Sequence, residues 1–499
     1  MPTPFKQKEF IFHQPDGSPL KVRGTGDQFY AEFETPDGYT VMRDAATGYY
    51  TYATKKYGLL QPGTLIPGEM DPAAAGIDQH LKNPLAAIDA LVQRAPGLTP
   101  GRPRWQQRRE EVKSGMVNAM LYPGLAQAPP SRQTVGNYIG LCLLIQFPDV
   151  PGTITPDQVR DFCNKPGYTD FGNNGSVYDY YNDVSDGRLK YTNIITPYYT
   201  AKNPKAYYTD ARIPQGQRAK ELILEALDHF KNSGFDLSAL STDSGNYVYA
   251  VNAFYAGGVD NNWAEGLWPH SSHLDIGFDL GNGRLAYDYQ ISDLGYELSL
   301  GTFCHENGHM ICSFPDLYSY GSMPKGDGIY CLMCLGCTVD KKNPTKICAY
   351  LKREAGWIDK ITTLAAPMQG TIESEKNEYL LFSRNDLEYF IIENREQTGR
   401  DASLTDSGLA IWHINEQGDN TGRSGPNVSY ECALIQADGR NDLENGVNTG
   451  DNTDLFKNGG NNEFGKTTLP ASNWLDGTAS GLDVKDIGAA GETMSFTIA

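Results

Sequence analysis

No stretch of this 499-residue chain approaches the roughly 18 consecutive apolar residues that a membrane-crossing helix needs, so no transmembrane helix is expected. Positive charge is scarce. Lys and Arg number 42 against 61 Asp and Glu, a formal net charge of −19, and phosphate-rich nucleic acid demands the opposite sign. That acidity suits solubility and oxygen-rich cation sites and names no substrate. Met1-Pro2-Thr3-Pro4-Phe5-Lys6 lacks the charged-then-apolar pattern of a secretory leader. No cysteine precedes Cys142, and no EF-hand spacing occurs. What is abundant is Gly (53), Pro (29) and Tyr (30), the profile of a loop-rich, extracellular type of protein. The length accommodates roughly two to four domains.

The nine cysteines stand at 142, 163, 304, 312, 331, 334, 337, 348 and 432. Cys331-x2-Cys334-x2-Cys337 has a spacing used by iron–sulfur proteins. The next cysteine is eleven residues further on, so disulfides or buried thiols are the preferred expectation. An odd total leaves at least one thiol unpaired within a monomer.

Chemistry concentrates at His305-Glu306-Asn307-Gly308-His309. On a helix, residues i and i+4 share one face, so His305 and His309 can hold one zinc ion together. Glu306 then lies within reach of water acidified by that metal and can act as its base. Leu298, Leu300, Phe303 and Ile311 make the flank apolar, as for a helix in a cleft wall. Pro315 suits a helix end or turn, and Asp316 follows at once as candidate third ligand. Asp327 and Glu354 are the alternatives.

HENGHMICSFPDLY (305–318) resembles the zinc segment of the immune inhibitor A family of secreted bacterial zinc metallopeptidases. Gly328-Ile329-Tyr330-Cys331-Leu332-Met333 is similar to that family's methionine turn, with Met333 beneath the metal. Asn343-Pro344 through Lys352-Arg353-Glu354-Ala355-Gly356-Trp357 resembles the helix closing the catalytic domain. Leu267-Trp268-Pro269-His270, Tyr180-Tyr181 through Leu189, Tyr389 to Arg395, and Gly408 to His413 also match family segments. The resemblance implies secretion, one catalytic Zn²⁺ held by His305, His309 and Asp316, and an N-terminal propeptide. The chain also departs from the metzincin pattern. Cys312 and Pro315 occupy the places of its glycine and third ligand, so the helix is expected to run about one residue longer before Asp316 turns in. Ser319 follows Tyr318 where many relatives carry an acidic residue. Tyr330 and His270 are candidate oxyanion stabilisers, each equally readable as structural.

These readings give an α+β fold with a zincin-like catalytic domain. Residues 1–95 form an N-terminal β-rich, prodomain-like region, with strands Phe29–Phe33 and Tyr49–Tyr52 between turns at Pro15-Asp16-Gly17, Pro36-Asp37-Gly38 and Thr47-Gly48, and a helix over Pro84–Ala95. Lacking cysteine, it cannot block zinc with a thiolate; an acidic or main-chain group would have to do so. Residues 96–133, rich in Pro, Gly, Gln and Arg, read as a linker, with Arg108-Arg109 a candidate processing site or a solvated pair. The catalytic domain spans 134–360, with strands Tyr138–Phe147 and Tyr247–Tyr255, a helix Gln217–Lys231, and Leu285–Ile291 as candidate cleft-edge strand pairing with substrate, or else an internal strand. Residues 361–499 read as a β-sandwich. Its loops carry Asp438, Asn441, Asp442, Glu444, Asp451, Asn452 and Asp454, a set suited to Ca²⁺ or to a solvated acidic loop. His413 reads as structural.

The expected activity is zinc-dependent hydrolysis of protein or peptide substrates. The alternatives are a surface- or glycan-binding protein with a structural zinc site, and a redox protein using Cys331, Cys334 and Cys337.

Overall fold

The structure, a computed structural model, describes residues 3–92, 101–121, 133–321, 326–422 and 429–499. Helices and sheets mix in an α+β chain, and the N-terminal and C-terminal regions are β-rich.

Six strands open it: β1 (Phe5–His13), β2 (Pro19–Gly26), β3 (Ala31–Glu34), β4 (Thr40–Arg43), β5 (Tyr50–Lys56) and β6 (Leu59–Pro62). They form an antiparallel meander in sequence order. Gly17 and Gly38, at the Asp-Gly turns, hold φ of +84° and +87°, a region that L side chains rarely enter. Phe5, Phe12, Val22, Phe33 and Tyr50 fill one face. Helix α1 (Leu85–Val92) follows, shorter than expected at its start by one residue; residues 93–95 lie outside the described ones.

The expected linker is where sequence and structure part. Residues 96–133 contain an 18-residue helix, α2 (Arg104–Leu121), which packs on the HExxH helix and on the central sheet.

That central sheet has the order β10-β11-β9-β7-β8. Its strands are β7 (Gly136–Gln146), β8 (Leu189–Thr200), β9 (Val251–Ala256), β10 (His270–Gly281) and β11 (Arg284–Leu294). β8, β7, β9 and β11 run parallel, and β10 is antiparallel at the edge. β7 is buried on both faces, which is why it reads as a continuous apolar run. Leu141, Leu143 and Ile145 meet Leu222, Ile223, Leu227 and Phe230 of α5 (Gln217–Asn232). Cys142 and Leu144 face the opposite core, built by α3 (Pro156–Asn164), α4 (Val177–Val184) and α6 (Leu300–Cys312). The segment Leu285–Ile291 is not the edge strand. It lies in β11, between β9 and β10, which matches its alternative reading as an internal strand, and β10 is the edge strand on that side.

Beyond α7 (Ala349–Ala355) the chain is β-rich: β12 (Lys360–Thr363), β13 (Met368–Glu373), β14 (Glu378–Ser383), β15 (Glu388–Arg395), β16 (Gly408–Asn415), β17 (Cys432–Ile435), β18 (Val484–Lys485) and β19 (Thr493–Ile498). Two sheets result, ordered β12-β14-β15-β16-β17 and β13-β19-β18. Phe390, Ile392, Leu409 and Ile411 pack between them against Met494, Phe496 and Ile498. Alternate residues Tyr389, Ile391, Ala410 and Trp412 face the other way, into the core containing α6. Strand alternation thus joins the C-terminal sheets to the central unit, and position 361 marks a change of pattern rather than a gap between cores.

Candidate metal centre

Helix α6 carries His305, Glu306 and His309, all buried. Its rotation about its axis is fixed from beneath by a polar network. Asn307 accepts from the Tyr191 hydroxyl at 2.6 Å and donates to Asn252 Oδ1 at 2.9 Å; Gln290 donates to that same oxygen. Asn307 cannot turn outward without orphaning buried polar groups, so His305 and His309 are held toward the cleft.

The helix ends as the spacing requires. It runs through Cys312, and Ser313 takes a left-handed conformation (φ +55°, ψ +31°) with its N–H on the His309 carbonyl. That reversal brings Asp316 back to the histidines. Asp316 Oδ1 lies 3.1 Å from His305 Nε2 and 3.3 Å from His309 Nε2, and the two Nε2 atoms are 3.2 Å apart. Tetrahedral zinc with bonds of about 2.0–2.1 Å places ligand atoms about 3.3 Å from one another. The three separations therefore fit a zinc-ligand face. Asp316 Oδ1 has no hydrogen-bond partner although it is buried, a costly state unless a cation completes it.

Each histidine is set by its other nitrogen. Nδ1 of His305 donates to the Leu332 carbonyl at 3.0 Å and Nδ1 of His309 to the Phe314 carbonyl at 2.7 Å, which leaves both Nε2 lone pairs for a metal. Asp316 Oδ2 accepts from Tyr320 at 2.6 Å. Met333 lies under α6: a Cβ on Gly308 would stand 2.8 Å from its sulfur, so glycine there admits the methionine.

Electrostatics follow from burial and proximity. Burial raises the Glu306 carboxyl above its ordinary range, opposed by the fields of His305 and His309. Burial acts against charge on His305 and Asp316 as well. With no metal between them, the attraction of the adjacent Asp316 carboxylate nonetheless lifts the His305 imidazole to about 9, and the two histidines hold the carboxyl far below the usual range. Glu306 lies 4.0 Å from His305 Nε2, beside the ligand set and outside it.

The rival ligands are elsewhere. Glu354 binds Arg109, and Asp327 accepts from the Leu434 N–H. Both oxyanion candidates have structural partners. Tyr330 donates to Asp454 at 3.0 Å within the C-terminal contact; His270 donates to the Trp268 carbonyl at 2.7 Å, and burial pushes it down to about 4. Of the calcium-type residues, Asp438, Asp442 and Asp451 converge, and the Arg440 guanidinium already sits among them. Glu444 instead meets Gln436. His413 packs at a tilt against the Phe390 ring and contacts Glu388, a structural role. All nine cysteines are buried thiols, and among the described residues none joins a group converging on a common metal position.

Sequence reasoning missed Tyr320, a loop residue with no pattern to mark it, and it missed what covers the site. The Trp105 ring of α2 stacks on His309 with centroids 4.6 Å apart. Gln28 of the N-terminal region accepts from the Ser271 N–H on edge strand β10 at 3.0 Å. Arg108 and Arg109 are neither exposed nor solvated. Arg108 donates to the Met310 carbonyl at 2.6 Å, and Arg109 pairs with Glu354 and Glu431.

No protein-family model matches the chain, and no curated protein matches it. Among the described residues no helix is long and apolar enough to cross a membrane.

Proposed function

We propose that the chain is a zinc-dependent endopeptidase of the immune inhibitor A type, with a zincin-like catalytic unit held latent by its N-terminal region. The observation that carries the reading is the buried His305–His309–Asp316 face, with its unpartnered Asp316 oxygen and Glu306 alongside. Those three residues would hold Zn²⁺, which when bound supplies a Lewis acid that polarises a carbonyl and acidifies water. Glu306 takes the proton from the attacking water and delivers it to the leaving amine; burial raises its affinity for protons. An extended substrate would lie along β10, the edge strand that Gln28 now caps. Latency is supported by Trp105 over His309, which blocks the approach that a peptide needs.

The test is casein hydrolysis by wild type and Glu306→Gln, before and after limited proteolysis of the N-terminal region, with zinc assayed in every sample. Hydrolysis by processed wild type alone, at equal zinc content, is expected. One zinc per chain with no hydrolysis in any sample would overturn the peptidase reading in favour of a binding protein.

A further inference from the structure

Helix α2 reaches the cleft through charge. Its hydropathic stripe is weak; it docks by four cations, Arg104, Arg108, Arg109 and Lys113, on two carboxylate sites of the body. In the first site, Asp243 Oδ1 is fixed by the N–H groups of Gly245 and Tyr247 at 2.8 and 3.1 Å. Its Oδ2 receives Arg104 at 3.0 Å and Arg108 at 3.3 Å. The two guanidiniums lie 4.7 and 4.9 Å from the Tyr247 and Tyr249 ring centroids. A carboxylate fixed by backbone donors, with an aromatic ring beside each guanidinium it receives, is a preformed guanidinium site. In the second, Glu354, Glu416 and Glu431 converge around the Tyr350 hydroxyl; Arg109 pairs with Glu354 and Glu431, Lys113 with Glu431, and Arg353 of the body with Glu416. Three carboxylates so close cannot all stay ionised without such partners.

Both sites adjoin the metal centre. Along α2, Arg109 lies one turn and Lys113 two turns from Trp105, about 6 and 12 Å of rise. An extended peptide covers those distances in about two to four residues. We propose that, once α2 leaves the cleft, these two sites are its specificity pockets, and that the substrates are peptide segments carrying arginine or lysine within about four residues of the cleaved bond. The inference rests on the peptidase reading and deepens it: α2 occupies the cleft as a mimic of the substrate's cations.

The experiment uses the zinc-loaded full chain opened by Arg104→Ala, Trp105→Ala and Arg109→Ala together, or wild type after limited proteolysis should that variant not fold. A randomised peptide library is cleaved and sequenced by mass spectrometry. Arg and Lys are expected to be enriched near the cut. The ratio of kcat/KM for a dibasic over a neutral peptide should fall about tenfold with added Asp243→Asn or Glu431→Gln, as for loss of one charge-assisted hydrogen bond. No enrichment, or an unchanged ratio, overturns the proposal. In parallel, fluorescein-labelled hexa-arginine is titrated into intact and opened chains. Binding confined to the opened chain and weakened about tenfold by either substitution upholds the pockets even if no peptide is cut, in which case the peptidase reading alone fails. Binding indifferent to both substitutions is attraction to the net charge, and it overturns the pockets.

Discussion

On the proposed reading of a latent peptidase, replacing Trp105 by alanine should make the full chain active. The indole is 8% exposed and stacks on His309, one of the candidate zinc ligands. Burying a tryptophan side chain removes about 150–250 Å² from water, and truncation to alanine in packed sites costs about 3–5 kcal/mol. Arg104, Arg108 and Arg109 keep their carboxylate partners, so α2 retains part of its docking energy. A loss of about 3 kcal/mol raises the fraction of chains with α2 displaced about a hundredfold, and turnover scales with that fraction while it is small. The assay is hydrolysis of an internally quenched peptide by zinc-loaded full-length protein. Trp105→Ala should be about a hundredfold faster than wild type, approaching the processed enzyme, and Trp105→Phe should lie between. A variant that binds one zinc and melts normally yet cleaves no faster would refute the reasoning, as would an intact wild type as active as the processed form.

Tyr320→Phe strips Asp316 Oδ2 of its 2.6 Å donor and should weaken zinc binding about 10- to 100-fold in chelator competition; unchanged affinity would make Tyr320 a packing residue only. Gly301 and Gly308 share α6, and alanine would favour the helix by about 1 kcal/mol at each. A Cβ at 301 would stand 1.9 Å from the Cys337 carbonyl oxygen, whereas at 308 it meets the adaptable Met333 sulfur at 2.8 Å. Gly301→Ala should therefore lower the melting temperature by many degrees and Gly308→Ala by few; equal effects would refute this ranking. Burial, with a further push from Asp316, raises the Asp27 carboxyl to about 7, against hydrogen bonds from Phe29, Gly321 and Tyr30. The folded chain then holds a proton that the unfolded chain releases near 4. The contribution is full below that value and lost as pH rises to about 7, about 4 kcal/mol in all. Proteolytic release of the N-terminal sheet should accelerate between about pH 4 and pH 7, level off above, and lose that slope in Asp27→Asn. A slope that persists in the variant would assign it to another group.

Much of the fold was legible because local pattern and burial coincide. The run Tyr138–Phe147 is apolar throughout because β7 is covered on both faces, and Gln217–Lys231 is periodic because α5 has one wet face. Helix α2 was illegible for the converse reason. It binds through guanidinium and ammonium groups rather than an apolar stripe, so Arg104, Arg108, Arg109 and Lys113 read as solvated linker. The edge strand was not legible because Leu285–Ile291 and His270–Gly281 are both plausible strands, and which one is outermost depends on pairing with β9, more than 30 residues upstream of β11 in sequence and beyond any local signal.

The sequence by itself determined the pair of histidines and the glutamate, since helical periodicity alone puts His305 and His309 on one face. It also offered Asp316, after the turn at Pro315, as the leading candidate for third ligand, with Asp327 and Glu354 behind it. Only tertiary structure shows which of Asp316, Asp327 and Glu354 lies beside the histidines, because that depends on the left-handed turn at Ser313 and on the partners that hold the other two carboxylates, Leu434 N–H and Arg109. It alone placed Tyr320 behind Asp316 and Trp105 over His309, contacts between segments far apart in the chain that no periodicity encodes.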